Sequence, residues 1–213
     1  AHGGISVGPD GATHQALEEI AIMRCLPHMT VIVPADWREV QKATEAAARQ
    51  YGPIYIRFGR EAVPVVTQED TPFEIGKAYC CREGTDVAII ACGAMVYASL
   101  VAAERLARKG IEAMVINLHT IKPIDRETVI EAAQICGAVV TAEEHQVMGG
   151  MGSAVAEVLS EACPVPIQMV GIMDSFGESG EPGELMQKYG LTPEHVVTAA
   201  EAVLACKAAG AKQ

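Results

Sequence analysis

The chain has 213 residues, enough for one large domain or for one domain and part of another. Its net charge of −11, without a cluster of Lys and Arg, argues against nucleic acid as a partner. No apolar run reaches membrane-spanning length, so we expect a soluble cytoplasmic protein that does not enter a membrane. The seven cysteines form no Cys-x-x-Cys pair, which argues against a disulfide framework and a zinc site.

The first part of the chain predicts helices and strands in alternation, which is typical of a parallel sheet. Asp36, with Glu39 three residues later, has the pattern of a capping box at a helix start. The elements predicted here are a helix over 14–26, a strand over 30–33, a helix from Asp36 to about Gln50 and a strand over 54–58.

Residues 60–76 predict a linker, because they combine prolines and acids without clear periodicity. The alternation then resumes, as expected for an open α/β sheet, and the adjacent Cys80 and Cys81 are interpreted as a strand edge. The predicted elements are strands over 87–93, 113–117, 138–142 and 167–170, a loop over 119–123, helices over 95–109, 125–134, 184–189 and 193–209, a glycine-rich turn over 149–152 that opens a helix to about Cys163, and a frayed end over 210–213.

The opening segment, AHGGISVGPDGATHQ, has the composition of an active-site loop. Its glycines permit tight turns and close approach of a ligand to the backbone. Histidines titrate near neutral pH and donate to hydroxyl or phosphate oxygens, and a carboxylate can accept from a sugar hydroxyl. His2, Asp10 and His14 are therefore candidate functional residues, although Asp10-Gly11 is also an ordinary turn pair and a histidine before a helix is often a packing residue.

The run HGGISVGPDGATHQALEEIAIMRCLPHMTVIVPAD resembles the pyrimidine-binding (Pyr) domain of the transketolase family. The later runs HTIKPID, TAEEHQVMGGMGSAVAE and DSFGESGEPGELMQKYGL resemble its C-terminal domain. The resemblance implies an α/β chain: part of a thiamine diphosphate-binding Pyr domain with the linker over residues 1–75, then a Rossmann-like C-terminal domain with a mostly parallel sheet over 76–213. Because a partial Pyr domain leaves a sheet edge open, residues 1–60 are expected to be mobile or paired with another copy.

The resemblance also implies site roles. His14 corresponds to the catalytic histidine beside the reacting carbonyl of the donor sugar, and Asp10 to the aspartate that binds a donor hydroxyl. His2 and Arg60 correspond to residues that hold the sugar phosphate, a role that suits a guanidinium. Arg57 is a second candidate for the role of Arg60, and a surface salt bridge is the structural alternative for either arginine.

The function implied is that of the C-terminal section of a transketolase, which transfers a two-carbon ketol unit between sugar phosphates. Thiamine diphosphate and Mg²⁺ are expected in the complete enzyme but not on this chain alone, which has no Gly-Asp-Gly motif and is expected to be inactive by itself. The expected partners are an N-terminal subunit and further copies, as a homodimer or heterotetramer. Alternatives are a fragment of 1-deoxy-D-xylulose-5-phosphate synthase, a 2-oxo acid dehydrogenase E1 β subunit, or a non-catalytic assembly module.

A second polar cluster, Glu143-Glu144-His145, precedes the glycines at 149, 150 and 152. A glycine-rich turn at a helix start can bind an anion, but three glycines also permit close packing of a strand against a helix, and packing is the favoured interpretation. The three polar residues could instead reach the Pyr domain or a partner. We predict no metal site here, and we interpret Asp174, Glu178 and Glu181 as parts of a solvated turn.

Overall fold

The computed structural model describes residues 2–210, so Ala1 and the part of the predicted frayed end beyond Gly210 lie outside it. The seven helices within this range are α1 Glu19–Cys25, α2 Trp37–Arg49, α3 Met95–Ala107, α4 Arg126–Cys136, α5 Met151–Ala162, α6 Pro182–Lys188 and α7 Pro193–Gly210. The eight strands are β1 Thr30–Ile32, β2 Ile54–Ile56, β3 Tyr79–Arg82, β4 Val87–Ala91, β5 Ala113–Asn117, β6 Thr120–Lys122, β7 Val139–Gln146 and β8 Ile167–Ile172. None of these helices is long and apolar enough to cross a membrane.

The larger sheet has five strands in the order β3-β5-β4-β7-β8, and only β3 runs antiparallel. Side chains of β4 alternate between two cores: Ile89 packs with α3 and α7, whereas Ile90 packs with α4 and α5. Both faces are covered, which explains the continuous apolar run of this strand. The predicted α/β class and mostly parallel sheet are confirmed, and Cys80 and Cys81 lie in the edge strand as interpreted.

The smaller sheet joins the two parts of the chain. Its order is β2-β1-β6, with β2 parallel and β6 antiparallel to β1. The prediction of a loop over 119–123 was therefore wrong, because Thr120–Lys122 forms a strand that pairs with β1. This strand has no periodicity of its own, and its partner is distant in the sequence, so no local pattern indicated it. The predicted division at residue 75 stays a prediction.

Two element boundaries differ from prediction by four residues or more. The helix predicted over 14–26 begins only at Glu19, because the carbonyl of Gln15 accepts from the N–H of Gly4 at 2.6 Å and Ala16 has a positive φ of 40°. Strand β7 continues to Gln146 rather than ending at Ala142, since its charged side chains find buried partners in the tertiary structure.

The predicted linker over 60–76 contains no helix or strand, but Asp36 holds it in place. This carboxylate caps α2 by accepting from the N–H of Glu39 at 3.0 Å, and also accepts from the N–H groups of Val66 and Thr67 at 2.8 and 2.7 Å. Burial raises the pKa of Asp36, but these hydrogen bonds outweigh burial and leave the pKa below its ordinary value.

Candidate functional site in the opening loop

The opening loop, residues 2–18, folds around the side chain of Gln15. Short 3₁₀ turns over Ile5–Asp10 are interrupted at Gly8, whose φ of 75° favours glycine. The amide of Gln15 is fully buried and donates to the carbonyls of Ile5 and Gly8 at 3.3 and 3.4 Å, and to that of Glu178 at 2.7 Å. Gln15 therefore fixes the turns that carry the candidate residues.

Asp10 and Arg60 lie together at the surface of this loop. Arg60 Nη1 donates to Asp10 Oδ2 at 2.7 Å, and the two side chains are 45% and 37% exposed, the arginine being the more open. An ion pair this open to water contributes about 0–1 kcal/mol, so a polar ligand can replace it at little cost. The structure thus brings together two of the predicted site residues, separated by fifty positions in the sequence.

The two candidate histidines are exposed on the same loop. His14 Nδ1 lies 2.9 Å from the hydroxyl of Thr13, and the His14 N–H donates to the carbonyl of Gly11. Among the hydrogen bonds formed within residues 2–210, none joins His14 to Asp10 or Arg60. His2 has a positive φ of 70°, and its neighbour Gly3 donates to the carbonyl of Phe58 at 3.2 Å, so His2 lies beside the segment that leads to Arg60.

Arg57 is not available as a second phosphate ligand. Its side chain is 5% exposed, pairs with Glu19 through Nε, and donates from Nη2 to the carbonyls of Ala16 and Glu144 at 3.2 and 2.7 Å. Burial by itself lowers the pKa of Arg57. The negative charges of Glu19 and Glu144 raise it by more than burial lowers it, so the pKa lies above its ordinary value. The alternative of a surface salt bridge is also wrong for Arg57, whose ion pair is buried.

Glu143 fills the place that the glycine-rich turn could have offered to an anion. Its two carboxylate oxygens accept from the N–H groups of Met151 and Gly152 at 2.7 and 2.8 Å, at the start of α5. A Cβ on Gly152 would lie 2.5 Å from Thr141 Oγ1. The packing interpretation is therefore confirmed. Burial raises the pKa of Glu143 to about 7, although both N–H bonds lower it.

Glu144 and His145 reach the first part of the chain. Glu144 Oε1 accepts from the N–H of Ser6 at 2.6 Å, and burial raises the pKa of this carboxyl. His145 Nε2 accepts from the N–H of Ile20 at 3.1 Å while Nδ1 donates to the carbonyl of Gln146 at 2.7 Å, which fixes the tautomer. Burial lowers the pKa of His145 to about 4, so the ring is neutral at pH 7. These contacts join the two parts of the chain.

The sequence reasoning missed Gln15 and Glu19. Each occupies a non-periodic position whose role depends on a distant partner, Glu178 for the first and Arg57 for the second. The Thr-His-Gln run was a signal for Gln15, but only its histidine was chosen as a candidate. Asp174 and Glu181 carry no side-chain contact that suggests a site, whereas Glu178 pairs with Lys188.

A cavity of about 340 Å³ lies beside the opening loop, between the two parts of the chain. Its wall includes Trp37, Phe58, Arg57, Asp36 and Glu144. The two buried carboxylates already accept backbone N–H bonds, from Glu39 to Asp36 and from Ser6 to Glu144. Within residues 2–210, no three His, Cys, Asp or Glu side chains converge as ligands for a cation. Both carboxylates of the cavity wall are already engaged by backbone N–H groups of this chain.

The fold and this loop define a pyrimidine-binding domain joined to an α/β C-terminal domain. The family model "Transketolase, pyrimidine binding domain" matches residues 1–66, and "Transketolase, C-terminal domain" matches residues 76–196. The chain belongs to the transketolase family and carries parts typical of its C-terminal section.

Two of the relatives are named as transketolase subunits. The chain is 46% identical over 94% of its length to the 6-deoxy-6-sulfo-D-fructose transketolase subunit SqwH of Clostridium sp. (strain MSTE9). It is 40% identical over 91% of its length to an apulose-4-phosphate transketolase subunit of Phocaeicola vulgatus. It spans 62% of the length of each. A solved structure of a split-gene transketolase, described as an inactive β4 tetramer, is 51% identical, with a TM-score of 0.90 over 92% of this chain and 65% of that one.

Proposed function

We propose that the chain acts as the C-terminal section of a two-subunit transketolase, which transfers a two-carbon ketol unit from a ketose phosphate to an aldose phosphate. The observation that carries this proposal is the exposed ion pair between Asp10, on the glycine-rich opening loop, and Arg60, in the segment after β2. The carboxylate of Asp10 can accept from a hydroxyl, and the guanidinium of Arg60 can bind an anion. Recognition of a sugar phosphate requires both kinds of group on one surface.

Arg60 and the polar residues of the opening loop each bind a different part of the donor sugar. Arg60 and His2 bind the phosphate, Asp10 accepts from a hydroxyl, and His14 lies toward the carbonyl that reacts. The names of the two relatives support an anionic sugar, since one contains a sulfo group and the other a phosphate. When a ligand binds, its phosphate replaces Asp10 as the partner of Arg60, which frees the carboxylate for the sugar.

Thiamine diphosphate supplies the carbon–carbon chemistry in this family and would be held, with Mg²⁺, largely by an N-terminal partner subunit. The two carboxylates of the cavity wall, Asp36 and Glu144, already accept N–H bonds from this chain, which supports this division. We expect the chain alone to be inactive, as the related β4 tetramer is described to be. Active assemblies would be heterotetramers, each a dimer of such pairs. All seven cysteines are free thiols, which supports a place in the cytoplasm, where the sugar phosphates of the pentose phosphate pathway would be the substrates.

The test reconstitutes the chain with its N-terminal subunit, thiamine diphosphate and Mg²⁺ and measures ketol transfer. Arg60→Met should raise the KM for a phosphorylated donor about 10- to 100-fold, as expected for loss of a charge-assisted hydrogen bond, and should leave an unphosphorylated donor unaffected. Arg49→Met, an exposed arginine at the end of α2, is the matched control and should match the wild type. Equal losses for both donors would contradict the role of Arg60.

A further inference from the structure

The opening loop packs against a segment of the C-terminal domain. We call Phe176–Pro182, the residues before and into α6, the platform segment. A Cβ on Gly8 would lie 2.9 Å from Pro182 Cγ, and a Cβ on Gly11 would lie 2.6 Å from Ser179 Oγ. Both glycines flank Asp10, so the turn that carries this carboxylate lies against the platform segment with no room for a side chain.

Gln15 is the polar link between the loop and the platform segment. Its amide donates to the carbonyl of Glu178 across the boundary and to those of Ile5 and Gly8 within the loop. One side chain therefore holds the start and the middle of the turns over Ile5–Asp10 against the C-terminal domain. Gln15 also directly follows His14, so a shift of Gln15 moves the backbone of the candidate catalytic histidine.

Gly177 provides the space in which the Gln15 side chain lies. A Cβ on Gly177 would collide with Gln15 Oε1 and would lie 2.8 Å from its Cδ and 2.9 Å from Ile5 Cδ1. The segment on this side is itself held, because the Tyr189 hydroxyl donates to the carbonyl of Phe176 at 2.9 Å and Lys188 pairs with Glu178. An added methyl group at Gly177 would therefore displace the Gln15 side chain, which would break its bonds to the carbonyls of Ile5 and Gly8, rather than the platform segment.

We propose that Gln15 is a positioning residue and that the platform segment, through Gly177, sets the geometry of Asp10 and His14 for the donor sugar. This inference rests on the proposed function for its effect on catalysis, but the positioning itself is a property of the chain. Through this positioning, the C-terminal domain would influence recognition of the donor sugar although its platform segment does not contact the sugar.

Four variants of the full chain, each assembled with the N-terminal subunit, test the proposal: Gly177→Ala, Gln15→Ala, the double variant, and the control Gly183→Ala. A Cβ on Gly183 meets no atom within 4 Å, although this glycine lies in α6 directly beyond the platform segment. Hydrogen exchange at the amides of Gly4, Gly11 and His14 reports loop order without reference to activity. Steady-state kinetics report the KM for the donor separately from kcat.

We expect Gly177→Ala and Gln15→Ala to accelerate exchange in the loop and to lower kcat/KM on the order of 100-fold, partly through a higher donor KM, as expected for misplacement of about 1 Å. The double variant should be no worse than Gln15→Ala, because the collision requires the Gln15 side chain. Wild-type exchange in Gly177→Ala, losses that multiply in the double variant, or a fall in kcat alone would each overturn the proposal. If the wild-type assembly transfers no ketol unit, the proposed function fails, and the exchange data still decide the positioning.

Discussion

Arg57→Leu is the substitution with the largest expected effect on stability. The guanidinium is buried between the two parts of the chain and neutralises Glu19, whose side chain is 13% exposed, and the buried Glu144. Leucine removes the positive charge and the donors to the carbonyls of Ala16 and Glu144. Two carboxylates are then left in a region of low polarity without a counter-charge. Each must either remain as an unpaired buried charge or take up a proton, and both outcomes destabilise the folded state at pH 7.

The expected loss is about 3–5 kcal/mol of unfolding free energy at pH 7, the range measured when one partner of a buried ion pair is removed. Urea denaturation followed by circular dichroism measures it. Arg60→Leu is the matched control, because its ion pair is exposed and should contribute about 0–1 kcal/mol. A loss for Arg57→Leu no larger than that of the control would refute the claim that this arginine joins the two parts of the chain.

Two further perturbations have distinct readouts. Asp36→Ala should cost about 2–3 kcal/mol in urea denaturation, since the α2 cap and the linker bonds are both lost, whereas Asp70→Ala in the same linker should be neutral; equal effects would contradict this. The pKa of Glu143 is about 7 in the folded chain against an ordinary value of 4.5, so the folded chain keeps a proton that the unfolded chain has lost. The unfolding free energy of the wild type, relative to that of Glu143→Gln, should therefore be greatest below pH 4.5 and should fall as the pH rises to about 7. Urea denaturation at a series of pH values measures this difference. A difference that does not change with pH would argue against the raised pKa of Glu143.

Local sequence signals sufficed where the cause of a structure is itself local. Helices were predicted to begin at Asp36 and Asp125, and the carboxylate of each accepts from the N–H three residues later, at 3.0 and 3.2 Å. The apolar run at 87–93 predicted β4 because a strand covered on both faces has no polar positions. These features depend on neighbours in the sequence, and so they can be read from it.

Features that depend on distant partners could not be predicted from local patterns. Strand β6 exists only because β1 lies beside it, and β7 extends through Glu143 and Glu144 only because N–H groups from α5 and the opening loop bind their carboxylates. At the site, the resemblance singled out Asp10 and Arg60, which do meet. Only the tertiary structure showed that Arg57 is buried and Arg60 exposed, and so distinguished the two candidate arginines.

The most direct measurement of the central claim follows carbon between sugars. The chain is assembled with its N-terminal subunit, thiamine diphosphate and Mg²⁺, supplied with a ketose phosphate labelled with ¹³C at C1 and C2 and an unlabelled aldose phosphate, and monitored by NMR. We expect the two labelled carbons to move together, still bonded to each other, into a new ketose phosphate that is two carbons longer than the aldose phosphate. Recovery of both labelled carbons in the unchanged donor, or their appearance in separate products, would contradict the proposed ketol transfer.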